Sequence, residues 1–423
     1  MFSFINNRLA KGASSVPNLG SFIFGISGTI ICLVVVMAPF KILEIISDGS
    51  INFLGFNIEK NGALGILLIS GVIIAVITQP AAGYLSDRLK SSMGQRLPFI
   101  LIGGFGTAIS LFALYFASSF YTLIISWIVI QFFANLGEGP ANALLKDHVD
   151  EKKFGVASGQ FNLLRVLGSI FTLILVLQLM NLYYSTGNYL WVLGSIILLS
   201  FLISISTIWS YLSLKNSKSI KIEEKIQPDD IKVKSRKINL ILIVITLSIT
   251  LTAFSSLQSY AMFFVRDVLN LENPTTMMTY IIVVLGVTIG LAMIPAGKLS
   301  DKFNRKYIIF GGGLIGCASC FIMTIFHSQI MVLILCGGIG LAVGTMFGTI
   351  WALTNDIISR KNAGNQIGWL AFSFLFSSLG ARGSGVLIDY LNNYRDNLGY
   401  FALISLAGIC FLVAPMTASM IKK

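Results

Sequence analysis

Apolar residues along this chain come in uninterrupted stretches of about 20, the length that crosses a hydrocarbon core roughly 30 Å thick. Polar residues collect in short clusters between them. Twelve such stretches are expected to be membrane-spanning helices: Ser21 to Leu43, Gly62 to Leu85, Pro98 to Ala117, Leu123 to Leu145, Val156 to Leu182, Leu190 to Tyr211, Leu240 to Phe264, Met277 to Ala296, Ile308 to Phe326, Met331 to Leu353, Ile367 to Ile388 and Leu398 to Met420. The one long polar segment, Asn216 to Ile238, separates the sixth stretch from the seventh. It reads as a solvated linker. The pattern divides the chain into a bundle over 1–215, a linker over 216–238 and a second bundle over 239–423.

The two bundles echo each other. Gln79 to Gly103, QPAAGYLSDRLKSSMGQRLPFILIG, returns in weaker form as Gly297 to Gly311, GKLSDKFNRKYIIFG. Each copy reads as a tight hairpin between two spans. Ala143-Leu144-Leu145-Lys146-Asp147 likewise returns as Ala352-Leu353-Thr354-Asn355-Asp356, and Gly159 and Gly368 keep the same offset of 209. The expected fold is an all-α membrane protein of twelve transmembrane helices in two pseudo-symmetric six-helix bundles.

Composition agrees, with 55% of residues hydrophobic and only 11% charged. Charge then orients the chain. Of 30 Lys and Arg residues, only four lie on one side, Lys41 at the outer end of the first span and Lys60, Arg266 and Arg395 in loops, and only Arg165 and Arg382 lie deeper inside spans. By the positive-inside rule both termini are cytoplasmic, as expected for a multi-pass protein of the cell membrane. The net charge of +12 is therefore an orientation signal facing the lipid bilayer, and no nucleic acid partner is expected.

Several chemistries find no foothold. All five cysteines fall inside spans, and the Cys317-x-x-Cys320 pair lacks a second ligand pair, so no disulfide, redox or metal site is expected. Two histidines, no phosphate-cradling loop and no triad argue against an enzyme. No cofactor is expected, and an ion gradient, H+ first, is the expected energy source. The first residues, Met1 to Leu19, run into a full span without a small-residue cleavage site, so no cleaved signal peptide is expected.

Polar residues inside spans carry the functional signal, because each costs several kcal/mol in hydrocarbon unless it finds a partner. Gln131, Asn135, Glu138 and Asn142 advance by four, three and four along the fourth span, which puts them on one helix face. Glu138 and Arg165 both lie about nine residues, about 13 Å, from the turn joining spans four and five. An ion pair is expected there. It reads either as a coupling site, where Glu138 exchanges between Arg165, a proton and the substrate, or as a permanent structural bridge. In the second half, Thr252, Ser255, Ser256, Gln258, Ser259 and Tyr260 line span seven, and Thr345, Thr349, Trp351 and Asn355 line span ten. Gln258 and Asn355 suit solute hydroxyls, whereas Trp351 or Trp369 either stacks on a flat face or packs. Gly340, Gly344 and Gly348 form a ridge for close helix packing. Arg382 with Asp389 reads as a substrate-anion site or as a buried charge network, and Lys41 with Glu44 as an interfacial pair.

Gly83-x-Leu-Ser-Asp87-Arg88 resembles the cytoplasmic signature of the major facilitator superfamily. Gln79-Pro80, Gly83, Ser86-Asp87, Gly94, Arg96 and Pro98-Phe99-Ile100 with Gly103 resemble the block of sucrose transporters and their glycoside-pentoside-hexuronide relatives, as does Gly139-Pro140-x-x-Ala143-Leu144-x-x-Asp147. Gln95, Leu97 and Asn142 depart from it, standing where those relatives carry arginine. The resemblance implies that spans one, four, seven and ten line a central cavity. It implies a gating latch at Asp87 with Arg88, where Gly83 permits close packing, and by pseudo-symmetry at Asp301 with Lys302. The alternative is a Ser-Asp turn with orienting basic residues. Asp147 and Asp356 are expected in gating networks with Lys152, Lys153, Arg360 and Lys361.

The expected function is proton-coupled symport of a small-molecule substrate, a sugar, glycoside or related polyhydroxylated solute, by a monomer using alternating access. Export of drugs or organic anions is the alternative on the same fold, although Val156 to Leu182 lacks the glycine-proline-rich signature of drug antiporters. A third alternative, a receptor or scaffold that moves nothing, gives the polar face of span four no use.

Overall fold

The computed structural model describes residues 16–46, 49–89, 91, 93–149, 154–215, 233–357 and 363–421. Twelve long helices run through them: α1 (Ser21–Ile45), α2 (Lys60–Arg88), α3 (Leu97–Phe116), α4 (Phe120–His148), α5 (Phe154–Thr186), α6 (Leu190–Leu214), α7 (Val233–Asp267), α8 (Pro274–Lys302), α9 (Arg305–Ile325), α10 (Gln329–Ile357), α11 (Ala363–Asn392) and α12 (Leu398–Ser419). Among the described residues, segments long and apolar enough to cross a membrane lie in α1 to α10 and in α12. The helices overrun the apolar stretches at many ends because polar residues continue a helix into the headgroup region; α2, for example, starts at Lys60 and ends at Arg88.

Side chains set several boundaries. Ser119 opens α4 with a reciprocal capping box to Thr122. Asn273 and Asn304 cap α8 and α9 by accepting from the N–H of Thr275 and Lys306. Prolines 80, 140, 295 and 415 sit inside α2, α4, α8 and α12, as spanning helices tolerate. A π-helical turn, Leu33–Met37, interrupts α1. Among the described residues the only strands are those of a hairpin, β1 (Ser50–Phe53) and β2 (Phe56–Glu59). Leu54 and Gly55 both take positive φ, 53° and 87°, the backbone a two-residue hairpin turn demands.

The chain divides into two compact units, one within 1–41 and 70–224, the other within 42–69 and 225–423. The boundary falls inside α2. In the first unit, Phe22, Ile26, Ile100, Ala134, Leu144 and Ile203 belong to one buried apolar cluster. Lipid is as apolar as such a cluster, so small residues decide where helices meet. A Cβ on Gly103 of α3 would stand 2.5 Å from the Gly137 nitrogen of α4. In the second unit, a Cβ on Gly344 of α10 would stand 2.5 Å from the Ile289 carbonyl of α8, and one on Gly340 would meet Thr288. Gly83 behaves otherwise. Among the described residues nothing lies within 4 Å of its missing Cβ, and its carbonyl oxygen accepts from Ser86 and Arg96.

Candidate functional site

Within the first unit, the polar face of α4 is tied into a ladder. Gln131 and Asn135 are 7% and 4% exposed. Asn135 donates from Nδ2 to the Gln131 carbonyl at 2.6 Å and to Oε1 at 3.1 Å. One turn on, Arg165 of α5 reaches across: Nη1 pairs with Glu138 Oε1 at 2.6 Å, and Nη2 donates to Asn142 Oδ1 at 2.9 Å. The guanidinium thus spans two positions four residues apart, which the planar fork of arginine suits. Glu138 and Arg165 side chains are 16% and 33% exposed. Pro140, between the two acceptors, removes one backbone N–H from the α4 ladder, and Gly139 lets the backbone of Gln79 approach within contact.

Arg165 engages one oxygen of Glu138. Among the described residues the other, Oε2, accepts no hydrogen bond. The carboxylate of Glu138 is thus held through one of its two oxygens.

A second cluster in the same unit surrounds Arg96, which precedes α3. Its Nε pairs with Asp147 at 2.8 Å, Nη2 with Asp87, and Nη1 donates to Ser86 Oγ at 2.6 Å and to the Gly83 carbonyl at 3.3 Å. Burial disfavours its charge, but Asp147 and Asp87 outweigh burial and raise its pKa above the ordinary arginine value. Arg88 lies 4.1 Å over the Tyr84 ring. Arg96 is the residue that reading by motif understates: its place between Gly94 and Pro98 marks it, but only the fold shows one side chain gathering two helix ends. At the offset of 209, Arg305 of the second unit donates to the Ala352 carbonyl. Lys41 is 1% exposed, its Nζ at 3.4 Å from the Tyr115 carbonyl and the Tyr189 hydroxyl.

In the second unit, Tyr260 is 1% exposed and donates to the Arg382 carbonyl at 2.7 Å, so its hydroxyl is spent on joining α7 to α11. Gln258 is half-buried, and Trp351, also half-buried, packs against Phe347. Arg382 and Asp389 take separate partners: Arg382 Nη1 donates to the Leu68 carbonyl, and Asp389 accepts from Asn61 and Gly62. The side chains of Asp301, Lys302, Asn355, Asp356 and Trp369 lie outside the described residues, as do Lys152, Lys153, Arg360 and Lys361.

The sequence profile of the Major Facilitator Superfamily matches residues 18–381. The chain belongs to that superfamily. It is a membrane transporter of the major facilitator fold. A sucrose transport protein of Arabidopsis thaliana, SUC4, is 25% identical over 142 residues, 29% of this chain and 26% of that protein. An uncharacterised transporter of Buchnera aphidicola is 28% identical over 145 residues, 33% of this chain and 36% of its own. The chain thus matches only about a quarter to a third of these relatives' length. Among solved structures, a bacterial homologue of the human lysosomal transporter Spinster, inward-facing and occupied, aligns with TM-score 0.69 at 13% identity over 96% of both chains. A D-xylose-proton symporter aligns with TM-score 0.60 at 16% identity over 96% of this chain and 97% of its own.

Proposed function

We propose that this transporter carries a sugar, glycoside or related polyhydroxylated solute in symport with a proton, by alternating access, with Glu138 as the coupling carboxylate and Arg165 as its exchangeable partner. The observation that carries the reading is the half-claimed carboxylate. Glu138 holds Arg165 through Oε1 alone, inside a membrane helix where an unneutralised charge is costly. When a proton occupies Glu138, Arg165 is free to turn its donors to a solute hydroxyl, still held through Asn142. When the proton leaves, the ion pair closes again. The proton on Glu138 and the solute on Arg165 then each break the same ion pair, and that shared cost couples them.

Asn135, Gln131 and Asn142 extend the hydrogen-bonding face along α4, suited to several hydroxyls of one solute. The partial similarity to a sucrose transport protein and the fold shared with a D-xylose-proton symporter favour a polyhydroxylated solute over a drug or organic anion. The Arg96 cluster, holding Ser86, Asp87 and Asp147, is assigned to gating. The loop-charge bias supports cytoplasmic termini in a cell membrane.

The Glu138→Gln variant tests this. Gln keeps the shape and a hydrogen bond to Arg165 but takes no proton. Gradient-driven accumulation is expected to fall to the equilibrium level while solute exchange across the membrane continues. Accumulation like that of the unaltered protein removes Glu138 from the coupling role; loss of both activities marks the pair as structural.

A further inference from the structure

A polar network at one end of the second unit is untouched by the Glu138 reading. Helix α2 begins there with Lys60, Asn61 and Gly62, directly after β2. The first turn of any helix presents N–H groups that no intrahelical carbonyl can take. Asp389, near the end of α11 and 7% exposed, takes two of them. Asn61 N–H donates to its Oδ1 at 3.3 Å and Gly62 N–H to its Oδ2 at 2.5 Å, and Asn61 Nδ2 adds a third bond to Oδ1 at 2.7 Å. A carboxylate from one helix thus caps another, at the positive end of its dipole.

The fit leaves no spare room. A Cβ on Gly65 would stand 2.5 Å from the Arg382 carbonyl, and one on Gly385 would stand 2.2 Å from the Asn61 carbonyl. Around Asp389 the other charged and titratable groups have partners of their own. Lys60 pairs with Asp267 of α7 at 2.6 Å. Tyr400 of α12 places its hydroxyl 2.5 Å from Asp267 and 3.2 Å from Asn61 Oδ1. Glu59 of β2 accepts from Asn393 at 3.0 Å. Tyr260 of α7 donates to the Arg382 carbonyl, and Arg382 itself is directed to Leu68. Among the described residues no cation pairs with Asp389. Neutral donors alone hold it.

We propose that Asp389 is a proton-operated clasp that holds the first turn of α2 against α11. Ionised, the carboxylate accepts three hydrogen bonds; protonated at Oδ2, it turns an O–H toward the Gly62 N–H, which cannot accept, so the cap loses that bond and the charge that strengthens the two at Oδ1. With no cation competing for the charge, protonation is the event that opens the contact. The clasp rests on the geometry of the second unit alone, so it holds whichever solute is carried and whether or not Glu138 couples a proton. The loop-charge bias assigns this end to the outside, so acid there releases the turn.

The test uses purified full-length protein in detergent, where both ends are accessible. Cysteine is introduced at Ala63, which is fully buried beside the clasp, or at Leu54, 72% exposed in the hairpin turn. Labelling of each by a maleimide is followed by peptide mass spectrometry at about pH 8 and about pH 5, and the ratio of Ala63→Cys to Leu54→Cys cancels the intrinsic pH dependence of the thiol. The ratio is expected to rise several-fold on acidification. In the Asp389→Asn background, which mimics the protonated acid, it is expected to be high at both pH values. A ratio unchanged by pH in the otherwise native protein, which needs no Asp389 variant to fold, overturns the clasp; so does a pH response that survives Asp389→Asn.

Discussion

Arg165 and Arg96 show how much one guanidinium can organise. Arg165 joins Glu138 to Asn142, and Arg96 joins Asp87, Ser86, the Gly83 carbonyl and Asp147. Lysine carries the same charge without the fork, so Arg96→Lys is expected to lose at least one buried bond and destabilise the protein by about 1–3 kcal/mol. Arg88→Lys, at an exposed residue whose described contact is the Tyr84 ring, is expected to stay within about 0.5 kcal/mol. Thermal unfolding of the detergent-solubilised variants measures both, and equal losses would contradict a hub at Arg96. The Glu138–Arg165 pairing is readable in sequence because both sit equally far from one tight turn. Asn142 as the second acceptor of Arg165 emerges only in the fold, although its four-residue spacing from Glu138 puts it on the same helix face. The role of Arg96 is not readable, since Asp147 lies 51 residues away and no periodicity links them.

At the scale of helices, contact is set by missing side chains. Gly103→Leu is expected to force α3 off the Gly137 backbone and cost about 1–3 kcal/mol. Gly194→Ala in α6, where nothing lies within 4 Å of the new Cβ, is expected to be neutral or stabilising by up to about 1 kcal/mol. Unfolding midpoints in one detergent separate the two, and a destabilised Gly194→Ala would contradict the packing described. The twelve helices are legible because hydrocarbon demands about 20 apolar residues in a row. The hairpin is hidden: Leu54 at its turn is an ordinary apolar residue forced to positive φ, and Phe53, Phe56 and Ile58 read like span ends. The π-helical turn in α1 is hidden as well, since Leu33 to Met37 differ in no visible way from their neighbours.

At the scale of the molecule, the repeat that relates Ala143 to Ala352 also relates Arg96 to Arg305, and both arginines reach the end of the following helix pair's second member. The division inside α2, after Ile69, has no signal in the sequence, because it follows from the contacts of Asn61, Gly62 and Gly65 with residues more than 300 positions away. The function proposed at this scale is a coupling between two gradients. It is tested most directly with proteoliposomes supplied with labelled monosaccharides and disaccharides, with and without an inward proton gradient. The account predicts accumulation of at least one sugar above its external level that collapses when a protonophore removes the gradient. A folded, inserted protein that moves no sugar of the panel, or moves one to the same level with and without the gradient, would contradict it.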